Sequence, residues 1–184
     1  QLSEYDYDWG KRGYDLLSPE MQASQPGRLL KEKLDNLSHT VVGAKFPTFA
    51  VQDAQGNMVD LKFGDGKVYV IDFWASWCRP CRASFPEMKK LYAEYHKKGV
   101  EILGITNDSR KTDWLKALEE DNLPWLQVID EYPIRNTPAK VATLYAIPYL
   151  PTLMLIDPDG KIVGKAKDKH ELKTWLDERL ANKK

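Results

Sequence analysis

Cysteine is almost missing from this chain: Cys78 and Cys81 are the only two among 184 residues. The fold must therefore rest on an apolar core, and a chain of this length buries roughly 70% of its extended surface without staples. Histidine is scarce as well. His39, His96 and His170 stand apart from one another, no second C-x-x-C exists, and a zinc site normally takes four ligands, so each histidine reads as a surface or satisfied side chain. Neither metal nor cofactor is expected. Charge of one sign is lacking too, because 27 Lys+Arg meet 27 Asp+Glu, and without a basic footprint nucleic acid is not a partner. No apolar run approaches the roughly 18 residues of a spanning helix. The longest candidate, Ala146 to Ile156, is broken by Pro148 and Pro151. There is no internal repeat and no low-complexity segment.

What is present sits at Trp77-Cys78-Arg79-Pro80-Cys81. Ahead of it, Val68 to Trp74 is a β-rich apolar run that reads as a buried strand; behind it, Arg82 to Lys97 has helical periodicity. A thiolate, not a thiol, attacks a disulfide, so a working cysteine needs its pKa lowered from about 8.5 toward neutrality. A helix beginning near Pro80, whose fixed φ and missing N–H suit a first turn, would aim its unpaired N–H groups and positive dipole end at Cys78. Arg79 adds a positive charge nearby. Cys81, one turn further in, would be more buried and placed to attack a mixed disulfide formed by Cys78. A structural disulfide closing so short a loop gains little chain entropy, and the redox reading is preferred.

Asp72 lies six residues before Cys78, in the apolar strand. Its neighbours on both faces are apolar, so it is expected to be buried with a raised pKa, although alternation could instead turn it to solvent. A desolvated carboxylate beside the pair suits general acid–base work, taking the proton of Cys81 as that thiol attacks.

The segment Asp72 to Cys81 resembles the active-site segment of the thioredoxin superfamily nearly position for position, and Pro86 matches the proline that kinks the active-site helix there. Ile147 to Asp157 is similar to the family's cis-proline loop and following strand. The resemblance implies that Pro151 is cis and faces the cysteines, and that the backbone of Leu150 pairs with an extended substrate segment. It implies a substrate-binding surface made of Trp77, Arg79, Pro80, Leu150 and Pro151, and a catalytic set of Cys78, Cys81 and Asp72. By residues alone, Pro151 reads equally as a strand-start proline.

The hairpin-like stretch Phe46 to Leu61, with its Asp53-Ala54-Gln55-Gly56-Asn57 turn, and an insertion before the cis-proline resemble the TlpA/ResA-like thiol-disulfide oxidoreductases. The likeness covers residues 43 to 182. It implies an α/β thioredoxin-like mixed sheet flanked by helices, with an N-terminal hairpin and a central insertion. It also implies protein disulfide or dithiol substrates, an upstream redox partner, a monomer, and a place outside the cytoplasm in the periplasm or envelope. The chain begins at Gln1 without methionine, which suggests processing, and any signal peptide or membrane tether would lie upstream of it.

Two other functions compete. Peroxiredoxins share the fold, but their motif puts a proline and a threonine ahead of the attacking cysteine, and the positions seven and three before Cys78 are Ile71 and Ala75. The other is a redox-inert peptide-binding module built on the groove around Pro151, which a thiol pKa at the ordinary value would favour.

Along the chain, residues 1–27 form an arm or linker without clear period, and residues 28–184 the thioredoxin-like domain. Ser24-Gln25-Pro26-Gly27 reads as a break, followed by a short helix over Arg28 to Leu37 with Leu30, Leu34 and Leu37 on one face. Strands are expected at Lys67 to Phe73, Val100 to Thr106, Trp125 to Ile129, Thr152 to Ile156 and Lys161 to Lys165. The active-site helix should turn Phe85, Met88, Tyr92 and Tyr95 to the sheet. Further helices are expected at Thr112 to Glu120, at Thr137 to Tyr145 opened by Pro138, and after Asp168 with Glu171 completing a capping box.

Overall fold

The computed structural model describes residues 4–131, 139–145, 147 and 149–181. Seven strands form one mixed sheet: β1 (Phe49–Asp53), β2 (Met58–Leu61), β3 (Val68–Trp74), β4 (Val100–Thr106), β5 (Leu126–Ile129), β6 (Thr152–Ile156) and β7 (Ile162–Ala166). They lie in the order β2-β1-β5-β4-β3-β6-β7. The middle three, β3, β4 and β5, are parallel, and the outer pairings are antiparallel. The apolar runs of β3 and β4 are buried on both faces because helices cover the sheet on both sides.

Alternation divides the core. Val68, Val70 and Trp74 of β3 pack with Cys81, Phe85 and Met88 of α4 (Arg79–Tyr95), with Trp114 of α5 (Lys111–Asp121) and with Leu172 and Leu176 of α7 (Lys169–Ala181). Ile71 and Phe73 face the opposite way, onto Phe46, Val51, and Val141 and Tyr145 in and just after α6 (Lys140–Leu144). Phe85, Met88 and Tyr95 are buried as their helical spacing predicts, whereas Tyr92 is half-buried at the edge. The sheet is thioredoxin-like, and the expected fold class holds.

The insertion α5–β5 attaches the hairpin to the sheet. β5 pairs with β4 in parallel and with β1 in antiparallel register. The hairpin turn is closed by Asp53, whose carboxylate accepts the Asn57 N–H at 2.8 Å, with Gly56 at φ +90°. At the other end, Asp168 Oδ1 caps α7 by accepting the Glu171 N–H at 2.8 Å, while Glu171 reaches back one residue past the cap to accept the Lys167 N–H at 2.7 Å, a variant of the expected capping box. Thr137 and Pro138 lie outside the described residues. α6 is seen from Lys140, its first turn held by Asp130, which accepts the N–H groups of Val141 and Ala142 at 2.8 Å each.

The N-terminal part corrects the reading of an aperiodic arm and a break. It holds α1 (Glu4–Asp15), α2 (Pro19–Ala23) and α3 (Gln25–Ser38). Ser24 ends α2 and caps α3, its hydroxyl accepting the Gly27 N–H, with Pro26 in the first turn. The supposed break is thus a junction of two helices. Gly27 is required there, since a Cβ would stand 2.1 Å from the Met21 carbonyl oxygen. Leu34 and Leu37 are buried as expected, while Leu30 is exposed.

Candidate active site

The site is built where β3 stops. The strand ends at Trp74, the chain turns through Ala75-Ser76-Trp77 with the Cys78 N–H donating to the Ala75 carbonyl at 3.0 Å, and α4 begins at Arg79. Cys78 is the N-cap of α4, with extended backbone, and Pro80 occupies the first turn as its geometry allows. The helix starts one residue before Pro80 and continues through Pro86.

Cys78 and Cys81 are joined by a disulfide, their Cα atoms 5.3 Å apart. The Cys78 sulfur accepts the backbone N–H of Cys81 at 3.3 Å. When the disulfide opens, a thiolate at Cys78 would meet that N–H and the positive end of a 17-residue helix, both of which favour the charged form. Cys78 is 5% exposed and Cys81 1%, so the second cysteine is the deeper, as its position one turn into the helix predicts.

Asp72 is buried, and solvent-facing alternation is ruled out because helices cover both faces of β3. It shares the α4 face with Val70 and Trp74. Its strand partners are Gly104 and Leu153. Desolvation pushes its carboxyl up from 3.8 to about 7. One oxygen, Oδ2, has no hydrogen-bond partner among the described residues.

The residues read as a docking surface lie around the same turn. Trp77 is 66% exposed, Arg79 and Pro80 are exposed, and Leu150 and Pro151 are half-buried. The Leu150–Pro151 peptide is cis. Tyr149 adds another exposed ring. No group of three or more potential metal ligands occurs among the described residues.

Three supporting residues escape the sequence reading. Asp108, just beyond β4, accepts the Ser76 N–H at 2.8 Å, the Ser76 hydroxyl at 2.7 Å and the Thr106 hydroxyl at 2.6 Å. It anchors the turn that carries the cysteines. Removing it leaves three donors without their acceptor, so Asp108→Ala is expected to lower stability by about 3 kcal/mol, read as an equal shift in chemical denaturation of the oxidised protein. Arg82 grips Asp121 at the end of α5 with two N–H bonds of 2.7 and 3.1 Å, holding the start of α4. Gln127 is a buried polar residue in an otherwise apolar strand, the same signal that singles out Asp72. For Asp108 and Arg82 no such signal exists, since both sit in ordinary polar surroundings of the sequence.

Comparison with known proteins agrees with this geometry. The model of the AhpC/TSA family matches residues 42–165. Thiol-disulfide oxidoreductase ResA of Bacillus cereus is 35% identical over 124 residues, which is 67% of this chain and 68% of that protein. The crystal structure of the thioredoxin domain of a thiol-disulfide oxidoreductase from Bacteroides vulgatus superposes with a TM-score of 0.66 at 34% identity, covering 74% of this chain and 96% of that one. A thiol-disulfide oxidoreductase from Bacteroides fragilis gives 0.64 at 31% identity, covering 73% and 98%. The matched span holds the strand, turn and helix that carry the disulfide, and the chain belongs to the AhpC/TSA family as a thioredoxin-like thiol-disulfide oxidoreductase.

Proposed function

We propose that Cys78 is the attacking cysteine, Cys81 the resolving one, and Asp72 the group that holds the transferred proton. The observation that carries this reading is the Cys78 sulfur at the helix N-cap, accepting the Cys81 N–H, together with a buried carboxylate on the α4-facing side of β3. In the reducing direction, the Cys78 thiolate attacks one sulfur of a protein disulfide; that S–S bond breaks, a mixed disulfide forms and the first substrate thiolate leaves. Cys81 then attacks the Cys78 sulfur, its proton passing to the Asp72 carboxylate, and the second substrate thiolate leaves. The substrate has gained two electrons and the protein has become the disulfide. Run backwards, the same steps oxidise a dithiol.

Around this centre, exposed Trp77, Arg79 and Pro80 together with Leu150 and cis-Pro151 form the surface on which an extended partner segment lies. The partners are protein thiols and disulfides, with a further redox protein resetting the pair. Likeness to ResA supports a place outside the cytoplasm; no helix among the described residues is long and apolar enough to cross a membrane.

A peroxidase reading remains attached to the family name. It asks for a threonine three residues before the attacking cysteine, and that position is the buried Ala75, which has no hydroxyl. One experiment tests both. The wild-type protein should exchange with a protein disulfide and consume hydrogen peroxide slowly, and Cys78→Ala should lose the exchange. Fast peroxide loss, or exchange that survives the substitution, would overturn the proposal.

A further inference from the structure

Asp72, Gly104 and Gln127 form a row across three strands, Asp72 opposite Gly104 and Gly104 opposite Gln127. Their chain neighbours Ile71, Phe73, Leu103, Ile105 and Val128 belong to the opposite core, so alternation turns the row toward α4. The middle position has no side chain. A Cβ at Gly104 would stand 2.1 Å from Gln127 Oε1 and 2.6 Å from Nε2, which means that the carboxamide itself lies over Gly104. Strands are spaced by about 4.8 Å. Gln127 thus brings its amide one strand closer to Asp72 than its own backbone is, and only glycine at residue 104 permits it.

The amide is also oriented. Trp74 Nε1, two residues along the strand from Asp72, donates to Gln127 Oε1 at 3.0 Å. With its oxygen engaged, the amide presents its NH₂ group elsewhere, and Nε2 has no acceptor among the described residues. Asp72 Oδ2 has no donor. Gln127 is 7% exposed and Asp72 2%, so an unpaired donor and an unpaired acceptor are buried in one row, each desolvated without return.

We infer that Gln127 is a positioning residue for Asp72, its Nε2–H acting directly or across one water as the donor that steadies the carboxylate when Cys81 gives up its proton. This rests on the reading of Asp72 as proton acceptor. Two further indole N–H groups of this core, Trp114 Nε1 and Trp125 Nε1, also lack acceptors among the described residues, but neither stands in the Asp72-Gly104-Gln127 row. The strand neighbours of Asp72 are Gly104 and Leu153, and α4, α5 and α7 present Phe85, Met88, Trp114, Leu172 and Leu176 to this core. Lys165 pairs with Met154, which belongs to the other core. The titratable groups of this core are the two cysteines, which do not titrate in the oxidised protein, and on α4 Tyr95, whose hydroxyl donates to Asp177, with Tyr92 at the edge.

Gln127→Met and Gln127→Leu keep the space over Gly104 filled but remove the donor. The Asp72 carboxyl carbon, followed by NMR in the oxidised protein as pH is varied, should titrate about one unit higher in both, because the charged form loses a hydrogen bond. The pH profile of turnover should move the same way. If neither variant folds, Gly104→Ala displaces the carboxamide with Gln127 still in place, and the same rise is expected. An unchanged midpoint, even with a lowered Tm, overturns the inference and marks Gln127 as structural. The readout separates two failures: an unmoved midpoint alongside an altered Asp72→Asn pH profile sinks only the role of Gln127, whereas an unaltered Asp72→Asn profile sinks the reading on which it depends.

Discussion

Cys81→Ala is expected to stop turnover and to accumulate a covalent adduct between Cys78 and a disulfide substrate. The reason is geometric. In the wild type the resolving sulfur is already bonded to Cys78 in the oxidised state, with Cα atoms 5.3 Å apart, so after the first attack it waits within reach. Well-oriented intramolecular groups act with effective molarities of about 10⁵ M or more, and no external thiol in the millimolar range matches them. Turnover should therefore fall on the order of a thousandfold or more, while the first step proceeds. Mass spectrometry of the non-reduced mixture, followed by peptide mapping, reads the result. No adduct on Cys78, or unimpaired turnover, would reverse the assignment of attacking and resolving sulfur.

Asp72→Asn should stabilise the protein and slow it at the same time. The carboxyl of Asp72 moves from 3.8 to about 7 on folding, through desolvation. The folded state therefore holds its proton more tightly than the unfolded one, and the unfolded state gains by ionising as pH rises from 3.8 toward 7. Stability is lost across that window. Above pH 7 the loss is complete, on the order of 4 kcal/mol; below the lower value it vanishes. Asparagine occupies the same space without a charge, so its advantage should be absent in acid, grow through the window and level off above it. Denaturant melts of the oxidised protein at several pH values measure this directly. For a chain of this size, each kcal/mol moves Tm by about 2–4 °C, so the rise at alkaline pH is of the order of 10 °C. Turnover near neutral pH should fall, and its pH profile should lose the step belonging to the carboxyl. An unchanged profile would remove Asp72 from proton transfer, and a stability gain independent of pH would mean that the carboxyl is not desolvated as described.

The two effects have one origin. A carboxylate desolvated in the core costs the fold stability, and the same desolvation leaves its affinity for a proton near neutrality, where a thiol can pass one to it.

Much of this site is present in local pattern. The apolar run of β3, the turn with its two cysteines and the periodic helix behind it form one uninterrupted segment, so the N-cap position of Cys78 follows from short-range rules. The buried carboxylate can be read from Asp72 standing among apolar neighbours. The N-terminal part is harder. Ser24 reads locally as part of a break, although a Ser with Pro two residues on also announces a helix; α1 and α3 meet where Gly10 lies against Leu34, a contact between separated residues that no local period contains.

Local pattern carries the core of the chemistry: a thiol pair at the mouth of a helix, a carboxyl expected to be buried among apolar neighbours, and the chain order of most strands and helices of the domain. Those properties depend on residues close in the chain, whose spacing sets which face each side chain takes. Tertiary structure alone decided what surrounds them. That Asp108 anchors the cysteine turn, that β5 ties the hairpin to the sheet, and that Gln127 reaches across Gly104 beside Asp72 all depend on strand register between segments dozens of residues apart. Register is settled by which faces the whole core can bury together, and no single stretch of sequence carries that information.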